Sequence, residues 1–330
     1  MPFAVLKLLS GGSIVHINGR TLDTQIQFLR QVVLARSGGR VPLSLAGGSL
    51  EGVREDWTDT AALTAYSSKK IKVESVGSDT VTGRLVRPDT PDPEAPLLVL
   101  LHEGGGVLGG TDLSLAFASV FAEETRFPMF LPDYRLAPAH RFPAAFDDAH
   151  NAFVWAQANA ARLGAASGAV ALGGISMGAN IAARLCLDLK RDFKPLPVAQ
   201  LLISPLLDLA DPEIRQSPYA QSWPIGAADI EIMIGHYAGA GLSLTDPALS
   251  PLREKLIIGQ PDTLVIAAGL DPLATQAEAY VQRLSDARTK VVYRRYDTLP
   301  CGFTLFAGLV DHAEKATRDI ARTFVSLIRG

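Results

Sequence analysis

The sequence predicts an α/β protein with a mostly parallel central sheet flanked by helices. Three observations carry that reading. Short continuous apolar runs recur at Leu97 to Leu101, Pro128 to Leu131, Ala169 to Leu172, Ala199 to Ile203 and Thr263 to Ala267, the pattern of strands buried on both faces. Helical stretches such as Pro143 to Leu163 and Ser176 to Lys190 separate them, which implies parallel strands joined by right-handed crossovers. Apolar residues make up 48% of the 330-residue chain and charged residues 20%, enough to bury a large core and unlike a disordered chain.

The remaining elements follow in order. Met1 to Leu9 is a short apolar run interrupted by Lys7, without the basic start, long apolar stretch and small-residue cleavage site of a signal peptide. Leu22, Ile26, Leu29 and Val33 recur at helical spacing, and Gly38-Gly39 ends the run. A Gly-rich, irregular segment is expected from there to about Ser68. Lys70 to Val76 and Thr80 to Arg87 read as strands around a Gly77-Ser78-Asp79 turn. After the last buried run come a helix with Ala277, Tyr280, Val281 and Leu284 on one face, a strand at Lys290 to Tyr296 and a final helix. That helix opens on Asp311, with Glu314 completing a capping-box-like pair. Its buried stripe is Ala313, Ala316, Ile320, Phe324 and Leu327. Asp208 to Ser250 interrupts the alternation and carries Tyr219, Trp223, Met233 and Tyr237; a lid and a surface excursion both fit.

A net charge of −3 with no long basic run argues against nucleic acid or an anionic membrane as the main partner. No stretch approaches the ~20 apolar residues of a membrane span, so the expectation is a soluble, cytoplasmic protein. The two cysteines, Cys186 and Cys301, form neither a disulfide framework nor a zinc site. No metal or other cofactor is expected.

Three constellations bear chemistry. Gly174-Ile175-Ser176-Met177-Gly178 lies between a buried strand and a helix. A serine on such a tight turn takes a strained backbone that needs glycine on either side, and the helix start aims amides at the reacting oxygen. The bland alternative is a βα turn with an incidental serine. His102-Glu103-Gly104-Gly105-Gly106 ends an earlier strand, where missing side chains let backbone N–H groups face a developing oxyanion. His102 is expected to shape this loop rather than to titrate. Asp271-Pro272-Leu273 follows the strand at Thr263 to Ala267, on the edge where α/β sheets keep their sites; a helix-capping aspartate fits there too.

Together these residues resemble the bacterial hormone-sensitive-lipase family of carboxylesterases, which has the α/β-hydrolase fold. The resemblance rests on His102 to Gly106, Asp133-Tyr134-Arg135-Leu136-Ala137-Pro138-Ala139-His140, Phe142-Pro143-Ala144-Ala145, Asp147-Asp148, the elbow at Ser176, Asp246-Pro247, Ser250-Pro251-Leu252, Asp271-Pro272-Leu273 and Gly302-Phe303. It covers about residues 65 to 330. It implies Ser176 as nucleophile, Asp271 as the acid that orients a base, and the amides of Gly104, Gly105 and Met177 as the oxyanion hole. It implies that residues 1–65 and about 208–245 form a cap on a catalytic domain at 66–330. It also implies a small-molecule ester substrate and pairing as a homodimer.

The resemblance breaks at the base. The family carries its catalytic histidine immediately before Gly-Phe, and this chain has Cys301 there. Histidine takes the serine proton and later delivers it to the leaving group. A cysteine is shorter, and its ordinary pKa of about 8.5 leaves little thiolate near neutrality. Burial beside a carboxylate lowers that fraction further. His312 is the alternative base nearest in sequence, although a surface place on the last helix is the simpler expectation. Two further positions depart from the family: Ile175 precedes the nucleophile, and Glu103 follows His102 where glycine is usual. The expectation is a serine carboxylesterase for small to medium acyl esters with an impaired or altered base. The alternatives are a non-catalytic ligand-binding member and a lyase or cyclase that reuses the oxyanion donors.

Overall fold

The computed structural model describes Gly12 and residues 14–36, 43–165, 168–239 and 241–330. The Met1 to Leu9 run and Gly38-Gly39 lie outside the described residues. The chain begins with a small hairpin, β1 (His16–Ile17) and β2 (Arg20–Thr21), turned by Asn18 and Gly19 at φ 46° and 76°. Helix α1 (Thr24–Arg36) follows, with Asp23 Oδ1 accepting from the amides of Gln25 and Ile26. Leu22, Ile26 and Leu29 of the expected stripe are buried and Val33 is partly buried.

The segment expected to be irregular up to Ser68 instead contains helix α2 (Leu50–Leu63). Ser49 caps it by accepting from the Gly52 amide. Val53, Trp57, Thr60 and Ala61 form its buried stripe, and the Trp57 indole N–H donates to Leu43 O.

The core is an eight-stranded sheet. Its strands are β3 (Ile71–Gly77), β4 (Thr82–Pro88), β5 (Leu97–Leu101), β6 (Met129–Pro132), β7 (Val170–Ile175), β8 (Gln200–Ile203), β9 (Thr263–Leu270) and β10 (Val291–Pro300). They lie in the order β10-β9-β8-β7-β5-β6-β4-β3. β5 to β10 run parallel, while β4 pairs antiparallel with β6 and β3. The central strands are buried at every residue from Leu97 to Leu101 and from Val170 to Ile175, which is why they read as unbroken apolar runs.

The crossovers are α3 (Leu115–Thr125), α4 (Ala144–Asn159) and α5 (Met177–Arg191). Two helices, α6 (Glu213–Gln216) and α7 (Ala227–Ala238), occupy the excursion after β8. Helices α8 (Ala274–Asp286) and α9 (Asp311–Arg329) complete the fold. The expected stripe of α9 is buried throughout. Its expected capping box is not formed. Asp311 is the first helical residue, its amide donates to Gln25 Oε1 of α1 (2.8 Å), and Glu314 pairs with Arg318 instead. Among the described residues no helix is long and apolar enough to cross a membrane.

Candidate active site

Strand β7 ends at Ile175, and the chain turns directly into α5 through Ser176, whose backbone sits at φ 56°, ψ −115°. A non-glycine residue in that region is strained. The turn is held by the Ser176 amide donating to Ile203 O (2.8 Å). Both flanking glycines are required by contact. A Cβ on Gly174 would lie 2.2 Å from the Gly178 backbone, and one on Gly178 would lie 2.2 Å from Leu101 O at the end of β5. The start of α5 therefore lies directly on Leu101 and His102, where the glycine loop begins. Ile175 is buried and belongs to the core.

The glycine loop continues β5. Gly104, Gly105 and Gly106 all take positive φ (111°, 68° and 69°). A Cβ on Gly105 would meet Met233 Sδ at 2.4 Å, and one on Gly106 would meet the Tyr237 ring at 2.5 Å. Helix α7 therefore lies directly on the loop. The amides of Val107 and Leu108 donate to Gly104 O, and that of Ala137 donates to Gly106 O. Arg54 of α2 donates to Val107 O and Ala137 O (2.8 and 2.9 Å). The amides of Gly104, Gly105 and Met177 donate to nothing among the described residues. They remain available to an oxyanion.

His102 takes the shaping role expected of it. Its ring stacks on Tyr134 with centroids 4.0 Å apart, its Nδ1 lies 2.6 Å from Glu103 O, and the Tyr134 hydroxyl donates to His102 O (2.7 Å). Burial pushes its pKa down to about 4, so it stays neutral at ordinary pH.

Asp271 follows β9 and is 1% exposed. Its Oδ1 accepts from the Leu273 amide (2.8 Å), while Oδ2 is buried without a well-formed partner. Burial pushes its pKa up to about 6, against the pull of the Leu273 amide and of the Ser204 hydroxyl and Cys301 thiol that face it. Cys301 directly follows β10 and is also 1% exposed. Burial, then the Asp271 carboxylate beside it and Glu103 nearby, hold its thiol well above the ordinary range. Asp271 and Cys301 are thus brought together, and the thiol keeps its proton.

Glu103, the residue where the resemblance predicts glycine, is fully buried. Ser114 Oγ and Thr304 Oγ1 both donate to its carboxylate, the latter at 3.2 Å. It ties the glycine loop to the turn after Cys301, and burial raises its pKa. His312 stands partly exposed, with its Nδ1 2.9 Å from Thr298 Oγ1 and 3.7 Å from Asp23 Oδ2. Among the described residues it is thus tied to Thr298 near the end of β10 and to Asp23 at the cap of α1, not to Asp271.

Sequence reasoning did not single out Ser204, Ser114 or Thr304. The first directly follows the β8 apolar run, a signal that was present. The other two sit in short 3-10 turns that no periodicity marks. Four surface cavities of about 330 to 580 Å³ are lined by neither Ser176, Asp271 nor Cys301. Among the described residues no group of three His, Cys, Asp or Glu side chains is placed to hold a metal ion.

Comparison with known proteins meets this geometry. The alpha/beta hydrolase fold family matches residues 98–305. The carboxylic ester hydrolase LipN of Mycobacterium tuberculosis is 30% identical over 325 residues, covering 92% of this chain and 82% of LipN. Carboxylesterase NlhH of the same organism is 32% identical over 259 residues, covering 75% and 80%. The solved structure of a hyperthermophilic esterase from the archaeon Pyrobaculum calidifontis superposes with a TM-score of 0.79 at 26% identity, covering 91% of this chain and 97% of that one. Fold, elbow and glycine loop define an α/β hydrolase. The chain belongs to that superfamily, and within it to the family of carboxylic ester hydrolases that includes LipN and NlhH.

Proposed function

We propose that the chain is a carboxylesterase-type serine hydrolase for small to medium acyl esters, with Ser176 as nucleophile and without an effective general base. The observations that carry this reading are the strained Ser176 turn between β7 and α5, the contact of the start of α5 with Leu101 and His102 at the end of β5, and the amides of Gly104, Gly105 and Met177, which donate to nothing among the described residues. Ser176 Oγ attacks the ester carbonyl, the C–O π bond opens, and the oxyanion is held by those amides. The serine proton has no histidine to receive it. Cys301 keeps its own proton, and Asp271 is itself partly protonated near pH 6. The proton leaves to solvent; the oxyanion then re-forms the carbonyl as the ester C–O bond breaks, the alkoxide takes a proton from water and leaves as the alcohol, and a second water hydrolyses the acyl-serine. Loss of the base of a serine triad costs on the order of 10⁶ in turnover, with roughly 10³ over water left to the oxyanion hole and binding.

Residues 1–65 and 208–245 act as the cap in this reading. The support is that Met233 and Tyr237 close directly on Gly105 and Gly106, and that Asp229 of α7 accepts from Ser44 Oγ (2.7 Å) and the Ala46 amide, joining the two segments. Ethyl acetate hydrolase of Pseudomonas putida, 27% identical over 297 residues, fits a short acyl substrate. The test is covalent labelling with a fluorophosphonate followed by peptide mapping. The reading expects slow labelling at Ser176, lost in Ser176→Ala and accelerated in Cys301→His. A parent chain that hydrolyses p-nitrophenyl acetate as fast as Ser176→Ala, with no gain in Cys301→His, would favour a ligand-binding protein.

A further inference from the structure

The three most exposed large apolar side chains among the described residues are Phe193, Leu256 and Ile258, at 95%, 70% and 62%. They come from two segments, yet all three line one surface cavity of about 500 Å³. The fold does not ask for any of them. Phe193 is the plainest case. Helix α5 ends at Arg191, the Phe193 amide donates to Lys190 O and the Lys194 amide to Leu189 O. That is the Schellman pattern, whose left-handed position is ordinarily glycine. Here it holds phenylalanine at φ 53°. The chain accepts backbone strain and an exposed aromatic ring at the same residue. Ile257, between Leu256 and Ile258, is buried, so the alternation points its two neighbours outward.

The charges around these side chains have one sign to spare. Lys190, Lys194 and Lys255 are exposed and make no ion pair among the described residues. The nearby acids are already engaged: Arg191 pairs with Asp188 and Asp192, and Arg184 pairs with Asp188 and Glu254. Protruding apolar side chains with Lys190 lining their cavity, and with Lys194 and Lys255 beside Phe193 and Leu256 in the chain, match the boundary between acyl chains and anionic headgroups. We propose that this face docks the protein peripherally on an anionic lipid surface. A second copy fits less well, because a two-fold contact through the patch would set the free lysines of one copy against those of the other. The basic cluster is assembled from residues 190–194 and 255, so no run in the sequence announces it.

The patch lies at the far end of the helix that begins beside Ser176, about 22 Å along a helix of this length. Docking at that end therefore leaves the start of the helix beside Ser176 uncovered, and the inference stands apart from the reading of that site. The test is co-sedimentation of the full chain with phosphatidylcholine vesicles prepared with and without phosphatidylglycerol. The expected result is binding to the phosphatidylglycerol vesicles that is released by high salt. It should weaken at least ~10-fold in Phe193→Ser/Ile258→Ser, since each large apolar side chain that is buried contributes substantially. It should be lost in Lys190→Glu/Lys194→Glu/Lys255→Glu, with unchanged Ser176 labelling and melting temperature. Failure to sediment with anionic vesicles would overturn the proposal. So would undiminished binding by the variants, or light scattering that shows a dimer in the parent and a monomer in Phe193→Ser/Ile258→Ser.

Discussion

Two halves of the candidate site are built from different materials. The half around Ser176 is made almost wholly of backbone: a strained turn, two glycines that admit no side chain, and three amides that donate to nothing among the described residues. The half around Asp271 depends on side chains and on where their protons sit. There the carboxyl is pushed up to about 6 and the thiol beside it stays protonated. The first half needs no titration to work. The second half needs a group that exchanges a proton near neutrality, and Cys301 in this environment does not supply one. On the proposed reading, a single substitution at residue 301 removes the base while the nucleophile and oxyanion donors stay in place.

The sharpest way to break this comparison is to damage the backbone half alone. Gly105→Ala forces a Cβ into Met233 at positive φ. In a Cys301→His background it should cost ~100-fold or more in kcat/KM on p-nitrophenyl acetate, the scale of losing one oxyanion donor. Little loss would show that the loop is not the oxyanion hole.

The side-chain half is probed by stability. Asp271 has a folded pKa raised from 3.8 to about 6. The folded state therefore holds its proton longer than the unfolded chain, and stability falls as pH rises through that window, then stays lower above it. Asp271→Asn should raise unfolding free energy at pH 8 by up to about 3 kcal/mol, from ~1.4 kcal/mol per pKa unit. The gain should vanish at pH 3. Chemical denaturation at the two pH values checks this.

Glu103 offers a finer test. Its buried carboxylate lies near residue 301 and favours a protonated imidazole placed there. In Cys301→His, adding Glu103→Gln should move the acid limb of kcat/KM to lower pH, by less than about one unit. A purely structural role would lower the rate without moving that limb. The smallest effect concerns the elbow itself: Ser176→Gly removes the strain at φ 56° and should stabilise the fold by about 1 kcal/mol in thermal melts.

The sheet was legible because its strands are buried on both faces, so each appears as an apolar run that periodicity cannot disguise. Helix α2 was not, since Gly47, Gly48 and Gly52 surround a narrow stripe in a polar segment. The β1–β2 hairpin carried its signal in Asn18-Gly19, a dipeptide that favours tight hairpin turns. At the site, Ser176 and the glycine loop were readable from spacing, because glycine marks close backbone approach. The surroundings of Glu103 were not readable. Its partners, Ser114 and Thr304, lie far apart in the chain and meet only through the packing of two short turns.

The central claim is that Ser176 is fully prepared for attack and lacks only a base. The most direct measurement is the rate of p-nitrophenyl acetate hydrolysis by the parent chain and by Cys301→His, with Ser176→Ala as control in each background. The account predicts a gain of at least ~10²-fold in Cys301→His, the range supplied by a positioned general base, abolished by Ser176→Ala. A folded Cys301→His variant with no gain, or a gain that survives Ser176→Ala, would contradict it.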